Sequence, residues 1–206
     1  MDLVRPVEAL VPGVQGRLLG ALTRVSGSMT LRALADVAGV SAPQASRVLR
    51  RLVDLGVVER RDVPPAALFS LASGNLTADV VRDLAAVRRL LLERLRAEAE
   101  GMSPRPVNVT VFGSLARGDA GPESDVDLLV VRPEGVDPDD DSWSRALGRY
   151  VDDARRSSGS NVELVEVAAG EVGALLRSRR RFWRELTRDG VHISGSPLGE
   201  LGAGDA

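Results

Sequence analysis

Asp125 and Asp127 stand two residues apart in Ser-Asp-Val-Asp-Leu-Leu-Val-Val, at the start of an apolar, β-branched run. A strand has a period of two, so a strand over Val126 to Val131 sends both carboxylates off the same face. Two carboxylates that close repel each other, and a fold does not bury them unpaired. A divalent cation relieves the repulsion, and carboxylates beside phosphate oxygens are what Mg²⁺ prefers. Just upstream, an alternating run through Val107, Val109 and Val111 stops at Gly113-Ser114. Glycine lets the backbone turn there, and Ser114 can cap a short helix over Leu115-Ala116-Arg117. Backbone amides exposed at such a turn suit a phosphate. Together the two halves predict chemistry on a nucleoside triphosphate, with two metal ions clamping the attacking and leaving oxygens of an in-line displacement. Gly-Ser turns are common, and an isolated Asp-x-Asp usually ends a solvated strand. Joined at this spacing between two apolar strands, the halves are far more specific than either alone.

Gly113-Ser114-Leu115-Ala116-Arg117-Gly118 followed by Ser124-Asp125-Val126-Asp127-Leu128 resembles the signature of the polymerase-β-like nucleotidyltransferase superfamily, in particular its minimal members. The resemblance covers residues 104–195. It implies an α+β domain with a mixed sheet and helices on one face, an NTP cosubstrate (ATP is expected) and Mg²⁺. It also implies transfer of a nucleotidyl group to a hydroxyl with release of pyrophosphate. By that resemblance Gly113, Ser114 and Ser124 belong to the nucleotide site, and Asp125 and Asp127 hold metal. Arg117 is a candidate for charge stabilisation. A third carboxylate is implied on a neighbouring strand. Asn-Val-Glu-Leu-Val-Glu-Val over Asn161–Val167 reads as that strand, and the position matches Glu163, a glutamate where the family usually has aspartate. Glu163 serves as ligand or base. Glu166 has the opposite strand parity and is expected to face away.

Composition narrows the alternatives. No cysteine occurs, and every one of the 27 basic residues is an arginine, which excludes disulfides, thiol catalysis, Schiff-base lysines and a P-loop lysine. The single histidine, His192, is expected to be structural, in a terminal strand over Val191–Ser194. No apolar run reaches the roughly 18 residues of a membrane span, no signal peptide opens the chain, and a cytoplasmic location is expected. The acidic loop with Asp137, Asp139, Asp140 and Asp141 lacks the glycine and final glutamate of a calcium loop and reads as a solvated cap for the next helix.

The net charge of −2 hides an asymmetry. Residues 12–72 hold eight arginines against four acids, while residues 102–206 hold thirteen against eighteen. Two modules with different partners are expected. In the first, apolar spacing and Gly or Ser punctuation predict helices over Val14–Val25, Leu31–Ala38 and Ala42–Leu55. A hairpin over Val57–Arg61 and Ala67–Leu71 follows, around Pro64-Pro65. That order resembles a winged helix-turn-helix, which implies double-stranded DNA as a partner. Gln44, Ser46, Arg47, Arg50 and Arg51 on the third helix, and Arg60 and Arg61 on the wing, are the expected contacts. The competing reading makes them solvated faces and the domain a docking or dimerisation module.

The expected organisation is a winged helix at 1–74 with a loosely ordered leader, a helical connector at 75–103, the transferase domain at 104–195 and a flexible tail at 196–206. The connector's stripe of Val80, Leu84, Val87, Leu91 and Leu95, with arginines and glutamates opposite, makes homodimerisation through residues 77–100 an expectation. A single helix is read from Gly170 to Arg188, and its Arg177, Arg179, Arg180, Arg181 and Arg184 are within reach of a polyanion. The acceptor hydroxyl belongs to a protein, an RNA or a small molecule. The rival function is a DNA-binding regulator whose transferase-like domain senses nucleotide without catalysis. A further one is an antitoxin-like protein that silences a partner by modifying it.

Overall fold

The computed structural model describes residues 2–25, 27–178 and 180–202. Arg179 and the last four residues of the expected tail lie outside the described residues. The chain divides into two compact units. One runs from Arg5 to Val87; the other begins at Arg88 and takes in the residues before Arg5.

In the first unit, α1 (Pro6–Leu10), α2 (Gly13–Thr23), α3 (Leu31–Ala38) and α4 (Ala42–Asp54) pack with α5 (Leu76–Ala85). The short β1 (Met29–Thr30) pairs with β3 (Ala66–Leu71), which also pairs with β2 (Val58–Val63), all antiparallel. Leu18, Leu34, Leu49, Leu52, Val58 and Phe69 fill the core. α3 begins where the Thr30 side chain accepts from the Ala33 amide, and it ends at Gly39 in the left-handed region. A winged helix-turn-helix results, as the sequence predicts. The leader departs from expectation: α1 is ordered, with Pro6 and Val7 buried, because a proline in the first turn costs no hydrogen bond and Val7 finds the core.

The second unit is a mixed four-stranded sheet in the order β6-β5-β4-β7, built from β4 (Asn108–Phe112), β5 (Val126–Arg132), β6 (Val162–Ala168) and β7 (Val191–Gly195). β5 runs antiparallel to β4 and parallel to β6, and β7 is antiparallel to β4. Two long helices, α6 (Val87–Glu100) and α8 (Asp141–Ser158), bury Leu91, Leu95 and Ala99 and Trp143, Leu147 and Tyr150 respectively. Trp143 reaches Glu166 on one sheet face. The other face is covered in part as well. Leu129, Val131 and Val167 pack there with α9 (Val172–Arg177), α10 (Arg181–Asp189) and α11 (Leu198–Leu201). Helices on one face alone were expected; these short helices add to the opposite face and leave its Asp127 end open.

Four further expectations are revised. The helical connector expected at 75–103 breaks at Ala86, so α5 belongs to the first unit and α6 to the second. Leu91 and Leu95 are buried by their own chain and are not available as a dimer seam, whereas Leu76 and Val80 on α5 stay exposed. The helix read from Gly170 to Arg188 is a 3-10 turn (Ala169–Glu171) followed by α9 and α10. The tail is ordered as far as α11, where Leu198 is buried against the α9–α10 cluster.

Candidate active site

β4 ends at Phe112 in extended backbone, and Gly113 takes φ +68° to start α7 (Gly113–Arg117), a single helical turn closed by Gly118 in the left-handed region. Glycine is required at 113 twice over. The positive φ strains any L side chain, and a Cβ there would lie 1.8 Å from Asp127 Oδ2. Phe112 and Asp127 are register partners across the two strands, so the turn rests directly on the carboxylate. Gly113→Ala is therefore expected to lower stability by about 1–3 kcal/mol and to remove any activity of the site. Denaturant unfolding checks the first part, and an alanine variant as stable as wild type would contradict it.

Asp127 and Glu163 are register partners on the parallel strands β5 and β6. Neighbouring strands lie about 4.8 Å apart, so the two side chains leave one face side by side. Asp125 is the residue before β5 rather than its first member. The Asp127 carboxyl is pushed above its ordinary value by burial first, then by the charges of Glu163 and Asp125, while Arg117 pulls it back. Both of the other predicted carboxylates thus act on Asp127. Glu166 does what parity predicts and faces the opposite way: its carboxylate pairs with Arg132 and accepts the Trp143 Nε1–H at 3.0 Å. It fastens α8 to the sheet.

Oxygen donors with unrelieved mutual repulsion fit a hard divalent cation. Asp125 and Asp127 are the residues that would hold Mg²⁺, with Glu163 on the neighbouring strand placed beside Asp127 as a further ligand or as a base. Among the described residues no three His, Cys, Asp or Glu side chains are already drawn together as a metal cage. The carboxylates line an open face instead.

The other predicted nucleotide-site residues divide. Ser114 is half-buried in the first turn of α7. Arg117 is exposed and donates to Asp119 at 3.1 Å, so its guanidinium is shared between that loop and the field at Asp127. The Ser124 hydroxyl accepts from the Gly121 amide at 2.9 Å, which closes the loop before β5. Of the arginines near residue 180, Arg181 pairs with Glu185 along α10 and Arg180 lines a hollow of about 800 Å³ with Val165, Val167, Phe182 and Trp183. Phe182 meets Phe112 edge-on at 5.3 Å, which ties α10 to the strand that launches the turn.

On the winged helix, Ser41 caps α4 reciprocally with Gln44: the Ser41 amide donates to Gln44 Oε1 at 3.2 Å, and the Gln44 amide donates to Ser41 Oγ at 3.4 Å. Gln44, predicted to contact DNA, thus commits its carbonyl oxygen to the cap. Arg47, Arg50 and Arg51 are exposed opposite buried Ala45, Leu49 and Leu52. Arg60 is held by Asp62 through two nitrogens, at 3.0 and 2.8 Å. Arg61 is exposed beside it. Ser46, Arg50 and Arg60 line one cleft of about 500 Å³ together with Arg32. Sequence reasoning missed Arg32, whose only signal was a charge in the first turn of a capped helix.

Residues 11–67 match the model of the MarR family, and residues 92–185 match the model of the nucleotidyltransferase domain. No curated protein matches the chain. Among solved structures, 47% of the chain is similar to 83% of a homodimeric winged helix-turn-helix DNA-binding domain from Mycobacterium bovis, a possible ArsR-family transcriptional regulator (27% identity, TM-score 0.32). Another 19%-identical match (TM-score 0.34) covers 56% of the chain and 78% of a chain in a crystal structure of a toxin-antitoxin with AMP-PNP. Both scores are too low to imply more than partial backbone likeness. The two matched segments fall in the winged helix and the four-stranded sheet just described: residues 11–67 are similar to the MarR family and residues 92–185 to the nucleotidyltransferase domain.

Proposed function

We propose that the protein is a Mg²⁺-dependent transferase that moves an NMP, AMP from ATP, to a hydroxyl of an acceptor. The observation that carries the proposal is the register of Asp127 with Glu163 under the Gly113 turn. Gly113 and Ser114 present backbone amides to the triphosphate, and Arg117 supplies positive charge to it. Mg²⁺, when bound by Asp125 and Asp127, supplies Lewis-acid charge to the phosphate oxygens. Glu163, exposed beside Asp127, orients the acceptor hydroxyl and receives its proton. The hydroxyl oxygen forms a bond to the α-phosphorus as the bond to the β-phosphate oxygen breaks, and pyrophosphate leaves. Incubation with NTPs labelled at the α-phosphate, Mg²⁺ and host lysate is expected to yield one labelled acceptor and free pyrophosphate. Equal labelling by an Asp125→Asn/Asp127→Asn variant would overturn the assignment, and nucleotide binding without pyrophosphate release would favour a sensor.

The winged helix is proposed to hold double-stranded DNA, because Arg32, Arg50 and Arg60 converge on one cleft beside exposed Arg47 and Arg51. Affinity is expected to fall steeply with salt. Arg47→Ala with Arg50→Ala should flatten the log–log salt slope by roughly 2, about one unit for each phosphate left without its arginine. Undetectable DNA binding at low salt would make the module a protein-docking domain.

A further inference from the structure

Arg88 stands at the head of α6, where the chain passes into the second unit. Its side chain does not enter solvent with the neighbouring Arg89. Nε donates to the Leu115 carbonyl at 2.9 Å, and a terminal nitrogen donates to the Ala116 carbonyl at 2.9 Å. These are adjacent carbonyls of α7, the turn that starts at Gly113. A helix of one turn has almost no stability of its own, and its last carbonyls lack intrahelical partners. Within the chain's own loop, Gly118 N reaches Leu115 O at only 3.3 Å and Asp119 N reaches Ser114 O at 3.0 Å. The planar guanidinium fork adds a second donor to the weakly held Leu115 carbonyl, gives the Ala116 carbonyl one, and sets a positive charge at the carbonyl end.

We infer that Arg88 is a positioning residue for the nucleotide site: by gripping the far end of α7 it fixes where Gly113 and Ser114 aim their amides. The inference rests on the proposed triphosphate role of that turn. Arg88 touches neither substrate nor carboxylate. It acts through the backbone of the turn.

Arg96 supplies an internal control. It lies on the same helix and donates through Nε to a backbone carbonyl, Ile193 at 2.8 Å on β7, which has no part in the turn. Arg88→Met, Arg88→Lys and Arg96→Met are to be compared with wild type in two measurements. The first is amide hydrogen exchange without ligand. Arg88→Met is expected to speed exchange over residues 113–118 and not over 191–195, and Arg96→Met the reverse. The second is direct binding of a non-hydrolysable NTP with Mg²⁺. Arg88→Met is expected to raise Kd roughly tenfold, the scale of lost outer-shell support, while Arg96→Met leaves Kd unchanged. Lysine keeps the charge but replaces the planar fork with a single nitrogen that must bend to reach both carbonyls, so Arg88→Lys should recover only part of the affinity. Unchanged exchange over 113–118, wild-type affinity in Arg88→Met, or full recovery by lysine would each overturn the positioning role. Failure of wild type to bind any triphosphate would instead overturn the reading of the turn itself, and the inference with it.

Discussion

Replacing Asp125 and Asp127 together by asparagine is expected to reduce nucleotidyl transfer by at least about a thousandfold while the thermal midpoint stays where it is or rises. The first effect follows from the donor set: the amide oxygens that replace the carboxylates are neutral and hold a divalent cation weakly. The second follows from crowding. Burial and the charges of Glu163 and Asp125 hold the Asp127 carboxyl above its ordinary value of 3.8. An acid whose folded pKa is raised binds its proton more tightly when folded, so ionising it costs stability. That cost sets in as pH rises through 3.8 and is complete above the raised folded value. Asp127→Asn should therefore gain most over wild type near neutral pH, and the gain should vanish as pH falls toward 3.8. Melting curves at several pH values check the sign. A large drop in midpoint at neutral pH would mean the carboxylate is a structural partner rather than a poised ligand.

Glu163→Gln is expected to lose turnover by about a hundredfold or more, the scale of a removed general base, with little change in nucleotide affinity. The triphosphate is held by the Gly113 turn and the aspartates, so the loss falls on the chemical step. Glu163→Asp keeps the charge and shortens the reach, and it should retain substantial activity. Glu166→Gln is the contrasting case. It should leave turnover within about twofold and lower stability by about 1 kcal/mol, since a half-buried charge-assisted bond to Arg132 becomes neutral while an acceptor for Trp143 remains. Steady-state kinetics beside denaturant titrations separate the two residues. Were Glu166→Gln to abolish transfer and Glu163→Gln to spare it, the pairing of β5 with β6 would be wrong by one residue.

Much of the geometry at the candidate site was legible because its information is local. The spacing of Gly113, Asp125 and Asp127 survives in any projection of the chain, and strand parity alone separates Glu163 from Glu166. The breaks at Ala86 and around residue 178 were not legible. Leu84, Val87, Leu91 and Leu95 keep helical spacing straight through the first, so only tertiary packing reveals that they serve two cores. Arginine-rich sequence is equally content in one long helix or two short ones at the second. Arg88 was hidden for another reason. Its partners lie 27 and 28 residues away; a helical wheel sets Arg88 on the same stripe as Leu84, Leu91 and Leu95 but does not say which backbone it meets there. Long arginine side chains can turn back to backbone carbonyls that no sequence pattern marks.

Trp143, Tyr150 and Trp183 are the chain's only indoles and its only phenol, and all lie in the nucleotidyltransferase half, while Arg5–Val87 contains a single aromatic ring, Phe69. Intrinsic emission and near-ultraviolet dichroism therefore report on one half and are blind to the other. Loss of the winged helix on heating would pass without an optical signal except in the far-ultraviolet, where helices from both halves contribute. Trp183 lies edge-on to Phe182, which itself meets Phe112 at the mouth of the Gly113 turn. If the turn takes a nucleotide as proposed, a change in Trp183 emission on binding is expected, while Trp143, sealed behind the sheet, should change little.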